Sequence, residues 1–281
     1  VNFGLRVLGR RSDGYHELES VFLPLDLADA LELELAEAPR AQVELDLQGA
    51  AQGAPVDATN LAVRAAAAFL EAARLCRSVR LRLAKRIPSG AGLGGGSSDA
   101  GAVLRGLAAC FPDALGAEAL GRLALALGAD VPFFLDPRPA LVSGIGERCE
   151  PLGVGWPPHV LLLANPGESL STAHVYAAFD ATPPPAAAAA SLRAQLAAGE
   201  DLAALLRNDL EPTAERLCPA IGRLREALFE VGARAVGLSG SGATLFGVFP
   251  SVAQAEAGLR RLPAARFPGL WTRVARTAEA G

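Results

Sequence analysis

The stretch Lys85 to Leu104, KRIPSGAGLGGGSSDAGAVL, limits the fold of this chain more than any other. Five glycines fall within the seven residues Gly90 to Gly96, directly ahead of an apolar helical pattern. Backbone this bare keeps one shape only when its neighbours or a ligand hold it. Glycines leading into a helix suit a phosphate: missing Cβ atoms permit close approach, and the helix N-terminus offers unpaired N–H groups and a positive dipole end. Three phosphate loops fit at first sight. The pattern GxxxxGK[ST] needs a lysine after the glycines, and none follows. The dinucleotide fingerprint GxGxxG is formally met by Gly90, Gly92 and Gly95. That motif belongs to the first βαβ unit, behind a strand buried on both faces. Here the alternating strand VRLRL precedes it and Pro88 interrupts the approach. The third is a loop that runs straight into a helix capped by Ser97 and Ser98, whose hydroxyls also reach a phosphate. This last reading is the expectation.

The rest of the chain alternates strands and helices. VNFGLRV, LELEL, VELDL and VRLRL each carry apolar residues at a period of two. One buried and one wet face favours antiparallel or mixed sheet over a doubly wound parallel one. Helices are predicted at about 60–75, 98–110, 117–127, 219–232 and 251–261, with an alanine-rich one in PPPAAAAASLRAQLAAG. A buried strand runs from Val160 to Ala164. ARAVGLSGSGATLFGVF reads as strand, glycine turn, strand, and LWTRVA as a last strand. A seam falls near 150–158, in EPLGVGWPP. The predicted class is therefore α+β, with domains at 1–152 and 153–281 and a cleft between them.

Composition excludes several functions. A net charge of −4 gives no bulk attraction for nucleic acid or an anionic membrane. Cys76, Cys110, Cys149 and Cys218 are scattered, which argues against a metal cluster or a disulfide framework and for reduced cytoplasmic thiols. No apolar run reaches the roughly 18 residues of a membrane span. The chain holds no methionine, so the expectation is that residues precede Val1 in the natural protein. Lys85 is the sole lysine, and it stands beside the glycine loop.

At this point the motifs become specific. PSGAGLGGGSSDA resembles the glycine-rich motif of the GHMP kinases, the superfamily of galactokinase, homoserine kinase and mevalonate kinase. LSGSGATLFG, Leu238 to Gly247, resembles their C-terminal glycine motif, which folds back beside the nucleotide loop. RVLGRRSDGYHELES, GADVPFFL and NPGESLSTAHVY narrow the resemblance to a branch whose acceptor is a methylerythritol unit carried on cytidine diphosphate. The resemblance covers essentially the whole chain, with its motifs in order.

It implies transfer of the γ-phosphate of ATP to the 2-hydroxyl of that unit, with ATP and Mg2+ as cofactors. It implies a small-molecule partner, no nucleic acid or membrane, and a monomer or weak homodimer. Asp130, in LGADVPFF, takes the place of the catalytic aspartate. Its companion in the family is a lysine in an N-terminal PAKxN motif. Asn2 matches the motif asparagine, and the lysine is expected immediately before Val1. The phosphates are assigned to Pro88, Gly90, Ala91, Gly92, Leu93, Gly94, Gly95, Gly96, Ser97 and Ser98. Asn60 matches a position at the adenine, although an ordinary helix cap explains it equally well. On the acceptor side, Tyr15 and Tyr176 match two stacking aromatics, His16 a hydrogen-bond partner of cytosine, Asn2 a neighbour of the methylerythritol hydroxyls, and Thr172 a further contact. No residue is assigned to metal, because magnesium is expected on phosphate oxygens and water. Asp99 reads as a plain dipole-compensating residue. Two alternatives stay open: a GHMP kinase for another small alcohol, and a nucleotide-binding relative without chemistry.

Overall fold

The structure, a computed structural model, describes residues 1–49, 53–153, 156–181, 191–199 and 205–278. In chain order the strands are β1 (Asn2–Arg10), β2 (His16–Phe22), β3 (Ala30–Glu37), β4 (Gln42–Gly49), β5 (Arg77–Lys85), β6 (Ala140–Gly144), β7 (Arg148–Pro151), β8 (Val160–Asn165), β9 (Ala235–Leu238), β10 (Leu245–Phe249) and β11 (Trp271–Arg276). The helices are α1 (Leu61–Ala72), α2 (Gly95–Cys110), α3 (Ala117–Leu127), α4 (Thr172–Asp180), α5 (Leu192–Ala198), α6 (Glu211–Leu217), α7 (Ala220–Glu230) and α8 (Val252–Arg261). A 3-10 turn, Pro132–Leu135, follows α3.

The strands form three sheets, ordered β1-β2-β6-β7, β11-β8-β10-β9 and β3-β5-β4. All pairings are antiparallel except β4 with β5, so the mixed α+β expectation holds. The period of two explains the third sheet. Val79, Leu81 and Leu83 of β5 turn toward α1, α2 and α3 and join one core with Phe69, Val103, Leu104 and Leu107. Side chains on the other face pair by charge, Arg80 with Glu34 and Glu44, Arg82 with Glu32. Such exposed pairs add little stability, and the apolar face fixes the register.

The other two sheets pack on each other. Phe3, Val21 and Leu23 share a core with Leu161, Leu163, Phe246 and Val248, so the two halves of the sequence bury one another's apolar residues. Each such side chain contributes about 1.5–3 kcal/mol when fully buried. This corrects the one-wet-face reading of VNFGLRV. Leu5 and Arg6 are both buried in β1, because the segment Leu205–Asp209 lies against it. The Leu5 N–H bonds Arg207 O, and the Asp209 N–H bonds Leu5 O, both at 3.0 Å. Two further readings change. Helix α2 starts at Gly95 rather than residue 98, and α4 and α6 were not foreseen. Residues 183–190 of the alanine-rich stretch, and Val154 and Gly155 of the seam, lie outside the described residues, while the rest of that stretch forms α5.

Helix α2 also holds the turn that carries Asp130. Gly101 leaves no room for a Cβ, which would stand 2.5 Å from Phe134 Cβ and 2.9 Å from Phe134 O. Arg105 Nη1 donates to the same carbonyl. Gly101→Ala is expected to destabilise the fold by about 1–3 kcal/mol despite alanine's better helix propensity. Chemical denaturation checks this: a lower midpoint is expected, and an unchanged or higher one would show that the turn can yield.

Candidate active site

The glycine loop occupies the join between the halves. Gly94, in a left-handed conformation at φ 68°, is the N-cap of α2 and supplies no side-chain hydrogen bond. The first in-helix bond runs from Ser98 N to Gly94 O at 2.8 Å. The N–H groups of Gly95, Gly96 and Ser97 precede it and have no partner in the helix ladder. No acidic residue stands in the first turn. Bare N–H groups at the positive end of a 16-residue helix match a polyanion. The expectation that Ser97 and Ser98 cap this helix is corrected. They lie inside its first turn and are half-buried, because the glycines before them already adopt helical geometry.

Glycine at position 92 answers to the protein as well as to any ligand. A Cβ there would stand 2.6 Å from Gly242 O and 2.9 Å from Ser239 O, with φ at +74°. The turn of LSGSGATLFG thus crosses directly over the loop, as expected. Ser239 Oγ donates to Gly92 O at 2.8 Å and accepts from Asn2 N at 3.3 Å. Ser241 Oγ is 2.9 Å from Thr172 Oγ1, the start of α4. Asn208 Nδ2 donates to Leu238 O (3.0 Å) and Gly240 O (2.7 Å) and fixes the turn from behind. Sequence reasoning found the turn but not Ser239, Ser241 or Asn208 as its fasteners. Two serines among glycines and one loop asparagine carry no spacing that singles them out.

Asp130 lies in the turn between α3 and Pro132. The residue is exposed to solvent, while desolvation by the surrounding protein is the largest influence on its carboxyl and raises its pKa. The Val1 amine donates to Leu23 O at 2.8 Å. Asn2 Nδ2 donates to Ser20 Oγ at 3.3 Å. Asp130, Val1, Asn2 and the second glycine turn therefore share one neighbourhood.

His16 and Tyr176 meet within reach of the Asp130 charge, which acts on the Tyr176 phenol. Their rings stack with centroids 4.8 Å apart and planes at 26°. His16 Nε2 is 2.7 Å from Asp180 Oδ1, at the end of α4. Asp180 is a positioning residue the sequence did not disclose, since only the folded α4 brings it back to His16. Tyr15, in the β1–β2 turn, stands 59% exposed. Thr172 reaches the second glycine turn rather than the rings.

Asn60 is the N-cap of α1. Its Oδ1 accepts from Ala62 N at 2.9 Å and its Nδ2 donates to Pro55 O at 2.7 Å, so the cap role is filled. Asp99 departs from its expected role. It is buried and bonds Lys85 Nζ at 2.7 Å. Among the described residues no group of three or more His, Cys, Asp and Glu side chains can hold a metal ion. A cation brought in on phosphate oxygens needs no such group.

Family models match the chain in two places. Residues 60–136 match the GHMP kinases N terminal domain, and residues 186–269 match the GHMP kinases C terminal. A relative from Citrifermentans bemidjiense, named 4-diphosphocytidyl-2-C-methyl-D-erythritol kinase, is 40% identical over 95% of this chain and 92% of its own length. One from Symbiobacterium thermophilum with the same name is 43% identical over 93% and 91%. A crystal structure of 4-(cytidine 5'-diphospho)-2C-methyl-D-erythritol kinase superposes with a TM-score of 0.79 at 38% identity, covering 99% of this chain and 97% of that one. Homoserine kinase from Cytophaga hutchinsonii, at 18% identity and a TM-score of 0.69, shares the fold.

The site yields two predictions. Gly92→Ala is expected to cost about 2–4 kcal/mol through overpacking and backbone strain. It should speed amide exchange in both 90–95 and 238–242; faster exchange in the first segment alone would show that the turns are not mechanically joined. Burial, with Asp130 adding, raises the Tyr176 hydroxyl to about 12. Alkaline ultraviolet titration should show a late phenolate step that disappears in Tyr176→Phe.

Proposed function

This chain belongs to the GHMP kinases and, among them, to the 4-diphosphocytidyl-2-C-methyl-D-erythritol kinase family, and from that premise we propose that it phosphorylates the 2-hydroxyl of 4-diphosphocytidyl-2-C-methyl-D-erythritol with ATP. Membership rests on relatives about 40% identical over most of both chains. The reaction is a step in making isoprenoid precursors by the non-mevalonate route. The observation that carries the reading is the grouping of a bare helix N-terminus, the Asp130 carboxylate and a stacked His–Tyr pair around one glycine crossing.

Phosphoryl transfer asks a protein mainly for position and charge. The run Pro88 to Ser98 holds the triphosphate on the N–H groups of Gly95, Gly96 and Ser97. Asn60, while capping α1, lies at the head of the helix beside that loop, consistent with a place near the adenine. Magnesium, when bound with ATP, neutralises phosphate charge. Asp130 accepts the proton of the attacking hydroxyl. A lysine joined at the Val1 nitrogen would emerge beside Asp130, where an ammonium holds the carboxylate ionised and offsets developing charge. Asn2, fixed by Ser20, faces the acceptor hydroxyls. His16, oriented by Asp180, and the rings of Tyr176 and Tyr15 take the cytosine. Thr172 ties that subsite to the second glycine turn. The same reading takes the division at 152/153 as the domain boundary. It makes the enzyme a monomer or weak homodimer in the cytoplasm, in keeping with its unpaired cysteines.

The test is ADP release by protein carrying the lysine before Val1, with MgATP and the cytidyl acceptor, and with mevalonate and homoserine in parallel. Turnover confined to the cytidyl substrate is expected, and Asp130→Asn should lower kcat by about 10²–10⁴-fold. Because burial raises the Asp130 pKa, kcat/KM should climb with pH through a point above the ordinary carboxylate range. Turnover with another alcohol would refute the substrate. An unchanged Asp130→Asn enzyme would refute the base.

A further inference from the structure

We propose that Asp29, Lys85 and Asp99 are positioning residues for phosphate transfer, a buried ion cluster in which one ammonium clamps both ends of the glycine loop. The proposal rests on the reading that this loop holds the triphosphate. Lys85 is the last residue of β5, directly ahead of the loop, and Asp99 lies on α2 just after it. Lys85 Nζ is 2.5 Å from Asp29 Oδ2 and 2.7 Å from Asp99 Oδ2. Asp29 Oδ1 accepts the backbone N–H groups of Arg86 (2.5 Å) and Ile87 (2.9 Å), the first two residues of the loop. Entry and exit are thus tied through a single side chain. Nζ also lies 3.4 Å from where a Cβ of Gly95 would stand, beneath the first turn of α2.

The three side chains are only 3–7% exposed. Stability does not account for them, since a buried ion pair rarely outdoes apolar packing of equal volume, and here two carboxylates share one ammonium. What the cluster supplies is a fixed geometry for the N–H groups above it. The charged groups acting on Asp99 are Lys85 from β5 and Asp29 from the segment before β3. The elements flanking α2 at this level, α1 and the 3-10 turn, bring Leu61 and Phe134. Burial raises the Asp99 carboxyl to about 7, against Lys85 and with a smaller push from Asp29. Below that pH the cluster is neutral. Above it one negative charge lies under a site for a polyanion, so affinity for ATP should fall as pH rises through about 7.

The experiment combines steady-state kinetics with amide exchange measured without ligand, on the full-length protein. Lys85→Met/Asp99→Asn removes one charge of each sign and, above about pH 7, keeps the net charge of the cluster. It should raise KM for ATP about tenfold, leave KM for the acceptor within about twofold, and speed exchange over residues 87–96. Asp99→Asn alone keeps an acceptor for Lys85 and removes the titrating group. It should abolish the rise of KM for ATP between about pH 6 and pH 8. A folded double variant with native KM for ATP and native exchange would overturn the proposal, and so would a native pH slope in Asp99→Asn. Should the double variant fail to fold, the Asp99→Asn slope decides alone. If native protein binds no ATP, the functional reading fails instead, and the ligand-free exchange measurement still decides the clamp.

Discussion

The site depends on one close crossing of backbone. Gly92 of the first glycine motif passes under Ser239 and Gly242 of the second at distances that exclude a Cβ. Two segments nearly 150 residues apart are joined there by the Ser239–Gly92 hydrogen bond. The same turn reaches Asn2 through Ser239, α4 through Ser241 and Thr172, and the Asn208 loop. Each subsite therefore takes its position from the crossing: the helix N-terminus on one side, the His16–Tyr176 stack on α4 on the other. Glycine is usually costly in ordered structure because of the freedom it loses. Here it permits a contact no other residue allows.

Electrostatics divides the labour around this crossing. The chain is acidic overall, yet the mouth of α2 presents only N–H groups and no first-turn carboxylate. Negative charge stands back at three places. Asp29 and Asp99 are neutralised in part by Lys85, Asp180 is committed to His16, and Asp130 is exposed. Of these only Asp130 lacks a cationic side-chain partner. No carboxylate stands in the first turn of α2, and where two do meet, at Asp29 and Asp99, the Lys85 ammonium stands between them.

Much of this was legible in the sequence for local reasons. Alternating leucines gave β3, β4 and β5, because a half-buried strand needs that period. The glycine run gave a bare loop opening a helix, and two residues of the expected substrate motifs, His16 and Tyr176, came together in a stack. The readings that changed did so through tertiary contacts. β1 proved buried on both faces because Leu205–Asp209 lies on it. Ser97 and Ser98 proved internal to α2. Asp99, which looked like a surface residue offsetting a dipole, proved to be half of a buried clamp with the chain's sole lysine.

The sequence by itself determined the class of fold, the order of its motifs and the chemical types gathered in them. Those follow from short-range rules of periodicity, turn chemistry and backbone freedom. The tertiary structure decided which residues serve which: Ser239 under Gly92, Asp180 on His16, Asp29 and Asp99 on Lys85. Each pair is separated by at least 14 positions and Asp29 stands 56 from its lysine, so no local pattern links them. Only the packing of three sheets and their helices brings such partners to hydrogen-bond distance, and burial then makes their charges matter.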